Sequence, residues 1–462
     1  MTGRGSGVWL LLVLTAASVA LFAQTLTFDF VDWDDPLNVV KNPLLKPPTW
    51  GKVLYFWRKP FGGLYIPVTY SFFALEAWID HALPGGDVDR LRPWVFHAGN
   101  VVLHAACVAL VFAVLRQVIR RDVPAALGAA LFAVHPLHVE SVAWVTETKG
   151  LLAGVFSLLA FWMYLRSRPT GEQADDPQRW ALHGWRWRRW FAASAALVLA
   201  LLAKPSAVSV PLMLVGVEVF WFRTPWRRWI APLACWMALA AVAVWWTTGG
   251  QAAPDWGIGR GAAQRVFVAA DAVGFYLSKL VVPWPLGPDY GRTPRVAWHS
   301  GGTLVLLTLG VVAVLVGRSV WTALRGGRKA PLVGATAGWL MVACLAPVLG
   351  LVPFGFQVFS TVADRYAYVA LLGPAWLLAW GLAQRGDGER GGRLLRWGML
   401  LVVALWAGLS WQQAWVWRNS TTLFAHTLEV NPQSWMAHVG LGNQLFAKKE
   451  WDEALRHYRA AL

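Results

Sequence analysis

Residues 94–115 read WVFHAGNVVLHAACVALVFAVL, residues 116–122 read RQVIRRD, and residues 123–142 read VPAALGAALFAVHPLHVESV. The first run holds no Lys, Arg, Asp or Glu. A helix crossing a bilayer needs about 20 apolar residues, and the run supplies them. A short basic turn with Arg116, Arg120 and Arg121 follows, and then a second apolar run begins. Two such runs joined by a basic turn read as a membrane hairpin.

The pattern repeats in both directions. Apolar runs near 8–28, 94–115, 123–142, 149–165, 190–203, 206–222, 229–247, 301–317, 331–350, 366–383 and 396–412 give about eleven spans. The expected fold is therefore an all-α, polytopic membrane helical bundle. Composition agrees: 57% of residues are hydrophobic and 14% are charged, against about 25% charged in soluble domains. The run at 8–28 lacks an Ala-x-Ala-like end and reads as a retained span rather than a cleaved leader. The 32 tryptophans cluster at segment ends, as at Trp185, Trp187 and Trp190, where interfacial anchoring accounts for them.

The formal charge of +16 does not point to nucleic acid, which needs a basic face on a soluble domain. The cations lie in loops that alternate along the chain. One set holds Arg116, Arg120 and Arg121; then Arg166, Arg168, Arg179, Arg186, Arg188 and Arg189; then Arg223, Arg227 and Arg228; then Arg318, Arg325, Arg328 and Lys329; then Arg385, Arg390, Arg393 and Arg396. The positive-inside rule places these loops and the N-terminus in the cytoplasm. Residues 64–80 and 265–283 carry internal charges and fit this alternation only as interfacial or re-entrant helices on the outer side. The long loop 29–93 and the C-terminus then lie outside. Cys107, Cys235 and Cys344 sit in apolar runs and form neither a disulfide framework nor a zinc cluster.

After Trp417 the chain changes character. Asn431-Pro432 marks a turn; Leu441, Gly442, Leu445, Ala454, Tyr458 and Ala461 follow at the spacing of a tetratricopeptide repeat. The expected organisation is a membrane domain over 1–417 and a tetratricopeptide helical hairpin over 418–462. An ordinary helical hairpin is the alternative. One repeat cannot bury its own apolar face, so the repeat array is expected to continue or to pack on a partner. Such a groove binds peptides.

Three groups of residues carry candidate chemistry. Asp29, Asp32, Asp34 and Asp35 crowd the start of the outer loop. Like charges this close raise a carboxyl pKa, which suits a general base; a solvated acidic turn starting a helix at Pro36 is the plainer alternative. The run His135-Pro136-Leu137-His138-Val139-Glu140 lies at the outer end of the third span. His138 and Glu140 have near-ligand spacing, yet a metal site needs three or more convergent ligands; a divalent metal is possible but not favoured. Third, Lys149, Lys204 and Arg365 are isolated cations on the outer side, against the positive-inside trend. An anionic lipid phosphate would explain them; snorkelling to headgroups is the alternative. Asp364 beside Arg365 reads as a possible local ion pair.

Taken in order, Phe30-x-x-x-Asp34-Asp35-x-x-Asn38, the run His135 to Trp144, Leu202-Ala203-Lys204-Pro205 and Ala363-Asp364-Arg365-Tyr366 resemble the transmembrane and tetratricopeptide-repeat O-mannosyltransferases and their bacterial relatives. The resemblance covers nearly the whole chain. It implies a GT-C glycosyltransferase of a bacterial inner membrane that takes a monosaccharide from a polyprenyl phosphate. No nucleotide is required, in keeping with the lack of a Gly-rich phosphate loop. It further implies that Asp34 or Asp35 is the catalytic base and that Lys149, Lys204 and Arg365 hold the donor phosphate. His135, His138, Glu140, Asp364 and Tyr366 would position substrate. The acceptor would be a Ser or Thr hydroxyl of a protein presented by the tail, and the transfer inverting. One departure stands out: the relatives' Glu-Arg-Lys is Glu147-Thr148-Lys149 here. A membrane scaffold, a lipid-glycan transporter, or the same chemistry on a lipid or glycan acceptor are the rival readings.

Overall fold

The computed structural model describes residues 4–87, 89–168, 186–248, 261–325, 331–351, 354–385 and 389–462. Arg179, Arg328 and Lys329, counted among the basic loops, lie outside the described residues. Among the described residues there is no β-strand. In chain order the helices are α1 (Arg4–Phe22), α2 (Trp50–Arg58), α3 (Pro67–Ala82), α4 (Pro93–Ile119), α5 (Asp122–Val134), α6 (Val139–Ala143), α7 (Thr148–Ser167), α8 (Trp187–Ala203), α9 (Ser209–Gly216) and α10 (Ile230–Thr248). They continue with α11 (Ala262–Val281), α12 (Pro294–Ser300), α13 (Gly302–Arg325), α14 (Val333–Leu345), α15 (Leu372–Ala383), α16 (Arg390–Ala414), α17 (Ser420–Val430), α18 (Trp435–Ala447) and α19 (Trp451–Ala460).

Every one of the expected spans is helical, but they are unequal. Among the described residues, five segments are long and apolar enough to cross a membrane: Ser6–Thr27, Pro93–Ile119, Val145–Ser167, Gly302–Thr322 and Arg390–Trp417. A sixth is broken: α5 and the segment Pro136–Ala143 meet at 54°. Pro136 has no N–H to continue the ladder, and His135 Nδ1 accepts from the Leu137 amide to start the next turn. Pro205–Trp221, Ile230–Trp245, Val333–Val348 and Val369–Ala383 are shorter apolar helices. α8 has 17 residues, or about 25 Å of helix, short of a hydrocarbon core of about 30 Å.

The packing follows the apolar pattern. α4, α5, α7 and α15 form the centre, where Phe132, Trp144, Phe161 and Trp376 are fully buried. α7 lies antiparallel along α8: Glu147 meets Lys204 at one end, and Arg189 Nη1 donates to the Arg166 carbonyl at the other. α13 is the opposite case. Leu306, Leu309, Val314 and Leu324 are more than half exposed. An apolar helix with so little protein around it needs a lipid environment.

Candidate functional site

The site is built on the link between α6 and α7. Trp144 leaves the helix with φ −90° and ψ 119°, a single turn spans Val145–Glu147, and α7 begins at Thr148. Asn100 of α4 holds this link. Its Nδ2 donates to the Trp144 and Val142 carbonyls at 2.9 and 3.3 Å. Thr148 Oγ1 lies 2.5 Å from Asn100 Oδ1 and 2.7 Å from the Val145 carbonyl.

Glu147, on this link, is fully buried. Lys204 Nζ donates to its Oε2 at 2.8 Å; Lys149 and Arg365 stand 3.7 and 3.9 Å from Oε1. Lys204 is delivered from the end of α8, where the following Pro205 favours the extended backbone it adopts. Gly150 makes the Glu147–Lys204 pair possible, since a Cβ there would stand 2.4 Å from Glu147 Oε2. Arg365 also binds Glu140: its Nη1 donates to Oε1 at 2.5 Å and its backbone N–H to Oε2 at 2.8 Å. Burial opposes the Arg365 charge, but Glu140, Tyr366 and Glu147 outweigh it and push its pKa above the ordinary value. The guanidinium carbon lies 4.4 Å from the Phe356 ring centroid, 5.0 Å from Tyr366 and 5.5 Å from Trp144, with Lys149 5.4 Å from Trp144. Three cations thus face two carboxylates in this cluster, leaving one positive charge over.

The acidic loop joins the same link. Asp35 is fully buried, and its Oδ1 accepts from the Thr146 amide at 3.0 Å and the Thr146 hydroxyl at 2.6 Å. Its Oδ2 accepts from the Val31 amide. Burial raises its pKa to about 6 although those bonds pull the other way. Asp34 is half-buried; among the described residues its carboxylate accepts no hydrogen bond, and only its backbone carbonyl is engaged, by Asn38. The two aspartates therefore differ: Asp35 is locked against the link, and the Asp34 carboxylate is left without a hydrogen bond among the described residues.

The remaining candidates are placed as follows. His138 is buried, with Nε2 3.1 Å from the Tyr368 carbonyl and its ring 4.4 Å from Phe132 and from Tyr368. His135 is buried against Trp406. Both histidines thus make their contacts inside the bundle. Asp364 accepts from the Tyr290 hydroxyl at 2.7 Å, while Arg365 turns to Glu140. Burial first, and then Glu140, holds the Asp364 carboxyl well above its usual range. Tyr366 stands edge-on to Phe354 and Phe356. Among the described residues no three His, Cys, Asp or Glu converge as a metal site would require.

Sequence reasoning leaves Glu147 and Thr146 without roles. The available signal was the charge of Glu147 itself: a carboxylate two residues before Lys149 at the head of an apolar run needs a partner.

The loop 29–93 is also fastened to the C-terminal helices. Asp29 N donates to the Arg418 carbonyl at 2.9 Å, Asp32 N to Ser420 Oγ at 2.8 Å, and Gln444 Nε2 to Asp32 Oδ2 at 2.7 Å. Trp33 packs on Phe424. α18 and α19 form a hairpin in which Gly442 lets the Tyr458 ring approach.

No protein-family model matches the chain. It is 24% identical to human Protein O-mannosyl-transferase TMTC4 over 97% of its length, which is 66% of that protein, and 24% identical to human TMTC3 over 97% of its length, half of that protein. A segment covering 42% of the chain is 31% identical to Tmtc2 of Drosophila melanogaster, over 20% of that protein. The chain thus spans less than two thirds of each of these proteins. With this similarity running across nearly its whole length, the chain is a relative of the TMTC O-mannosyl-transferases.

Proposed function

We propose that the chain is a GT-C-type membrane glycosyltransferase moving one hexose from a polyprenyl-phosphate donor to a Ser or Thr hydroxyl of a protein. The relatives' names supply mannose as the sugar. The observation that carries the reading is the joint at Thr146–Glu147. Thr146 fixes Asp35, and with it the Asp34 loop, while the next residue gathers Lys204, Lys149 and Arg365.

Asp34 is the base. It takes the proton of the acceptor hydroxyl as that oxygen attacks the anomeric carbon from the face opposite the phosphate. The new C–O bond forms, the bond from carbon to the phosphate oxygen breaks, and the configuration inverts. Positive charge builds on the sugar, as in glycoside hydrolysis. The bound donor carries one negative charge and the departing polyprenyl phosphate two, so the surplus cation meets growing charge on the leaving group. Asp35 positions the loop, and Glu140 and Glu147 aim the cations. The reaction side is the periplasmic face of a bacterial inner membrane, with residues 418–462 acting as a tetratricopeptide tail that presents the acceptor.

Mass spectrometry of envelope proteins from cells with and without the chain tests this. Loss of a hexose mass from Ser- or Thr-containing peptides supports it. Unchanged spectra, or full activity in a variant carrying Asn at both 34 and 35, overturn it in favour of a scaffold.

A further inference from the structure

A second charged cluster lies at the opposite end of the same helices. Arg116 from the end of α4, Arg166 from the last turn of α7, and Arg186 and Arg189 at the start of α8 line a cavity of about 400 Å³, with Trp162 and Leu165 on its wall. Arg166 lies over the Trp162 ring, 4.7 Å from its centroid. Arg116 Nε donates to Asp122 at 2.7 Å. Among the described residues, Asp122 is the one carboxylate bonded to these arginines. Among the described residues, four guanidiniums against one carboxylate leave three positive charges around a hollow whose other walls are Ala113, Gln117, Trp162 and Leu165. A general excess of Lys and Arg in the loops on this side does not explain why three helices aim arginines into one cavity.

We propose that this cavity binds a phospholipid with two phosphodiester groups, of the cardiolipin type. Planar guanidiniums take phosphate oxygens in pairs, and two phosphates answer the three charges better than one. The apolar wall at Trp162 and Leu165 takes the first part of an acyl chain, which a free phosphate lacks. Basic pockets between membrane helices hold such headgroups. The 20 residues of α7 put about 30 Å between this cavity and Glu147, so the lipid lies in the leaflet away from the acid–cation cluster. The site does not depend on the proposed sugar transfer.

The test is native mass spectrometry of the full chain released from zwitterionic nanodiscs doped with cardiolipin, phosphatidylglycerol or phosphatidylethanolamine. Cardiolipin should be retained in preference to the other two. An Arg166→Gln/Arg186→Gln variant should retain it about 30-fold more weakly, and Arg166→Lys/Arg186→Lys should fall in between. The control Arg318→Gln/Arg325→Gln removes the same charge from another segment and should bind as the parent does. Equal loss in the control, equal retention of all three lipids, or full displacement by millimolar inorganic phosphate would each overturn the proposal. Should the Gln variant fail to elute as a monodisperse species, the Lys variant carries the comparison. Its retention matching the parent's would then count against the site.

Discussion

Replacing Asp35 with Asn should change the pH dependence of stability more than the stability itself. Asp35 is fully buried, and its pKa stands at about 6 in the folded chain against an ordinary 3.8. A carboxyl whose pKa rises on folding favours the folded state in its protonated form. That contribution is whole below about pH 4 and is lost as pH climbs through about 6. At about 1.4 kcal/mol per pKa unit, the span from 3.8 to about 6 is worth about 3 kcal/mol. Asn cannot ionise, so the variant escapes this loss. It also turns an N–H₂ or loses an acceptor toward Val31 or Thr146, at a cost of about 1–3 kcal/mol. At pH 8 the two effects offset each other, and the variant should melt within a few degrees of the parent. At pH 4.5 only the cost remains, and the variant should be the less stable. Tryptophan fluorescence during thermal unfolding in detergent, stepped from pH 4 to pH 8, reads both curves. A difference between the two proteins that stays constant across that range would refute the assignment of the titration to Asp35.

Asp34→Asn should lower transfer by about 10²–10⁴-fold with no measurable change in melting, read by hexose incorporation into an acceptor peptide; retention of more than a tenth of the rate would remove Asp34 from the base role. Glu147→Gln strips the shared carboxylate from Lys204, Lys149 and Arg365 and should destabilise by about 3–5 kcal/mol, seen as a lower unfolding midpoint and as loss of activity. Gly150→Ala gains up to about 1 kcal/mol of helix propensity but drives a methyl toward Glu147 and Lys204. Activity should fall by more than stability does, and an active, more stable variant would show that the pair does not need that space.

The all-α bundle is legible because apolar length alone decides it, and α4 and α7 match their runs in 94–115 and 149–165 to within a few residues. Helix lengths are harder. The run 123–142 reads as one span, yet the chain bends by 54° at Pro136, because a missing N–H acts on geometry without changing hydropathy. In the site, Lys149, Lys204 and Arg365 stand out one by one as cations that break the alternation of basic loops. That they share Glu147 is invisible in the sequence, since Lys204 is 57 residues from it along the chain. The division between Asp34 and Asp35 is equally hidden. It rests on Thr146, 111 positions away, which binds one aspartate and leaves its neighbour alone.

The bonds from Asp29, Asp32 and Trp33 to the last helices change what the C-terminal segment is. It does not trail from the bundle on a tether; it forms a retaining clamp for the strip of chain that bears Asp34. Any protein that grips α18 and tugs on Gln444 is one side chain from Asp32 and two residues from Asp34, the proposed base, so such a pull would reach that carboxylate mechanically, without a separate messenger.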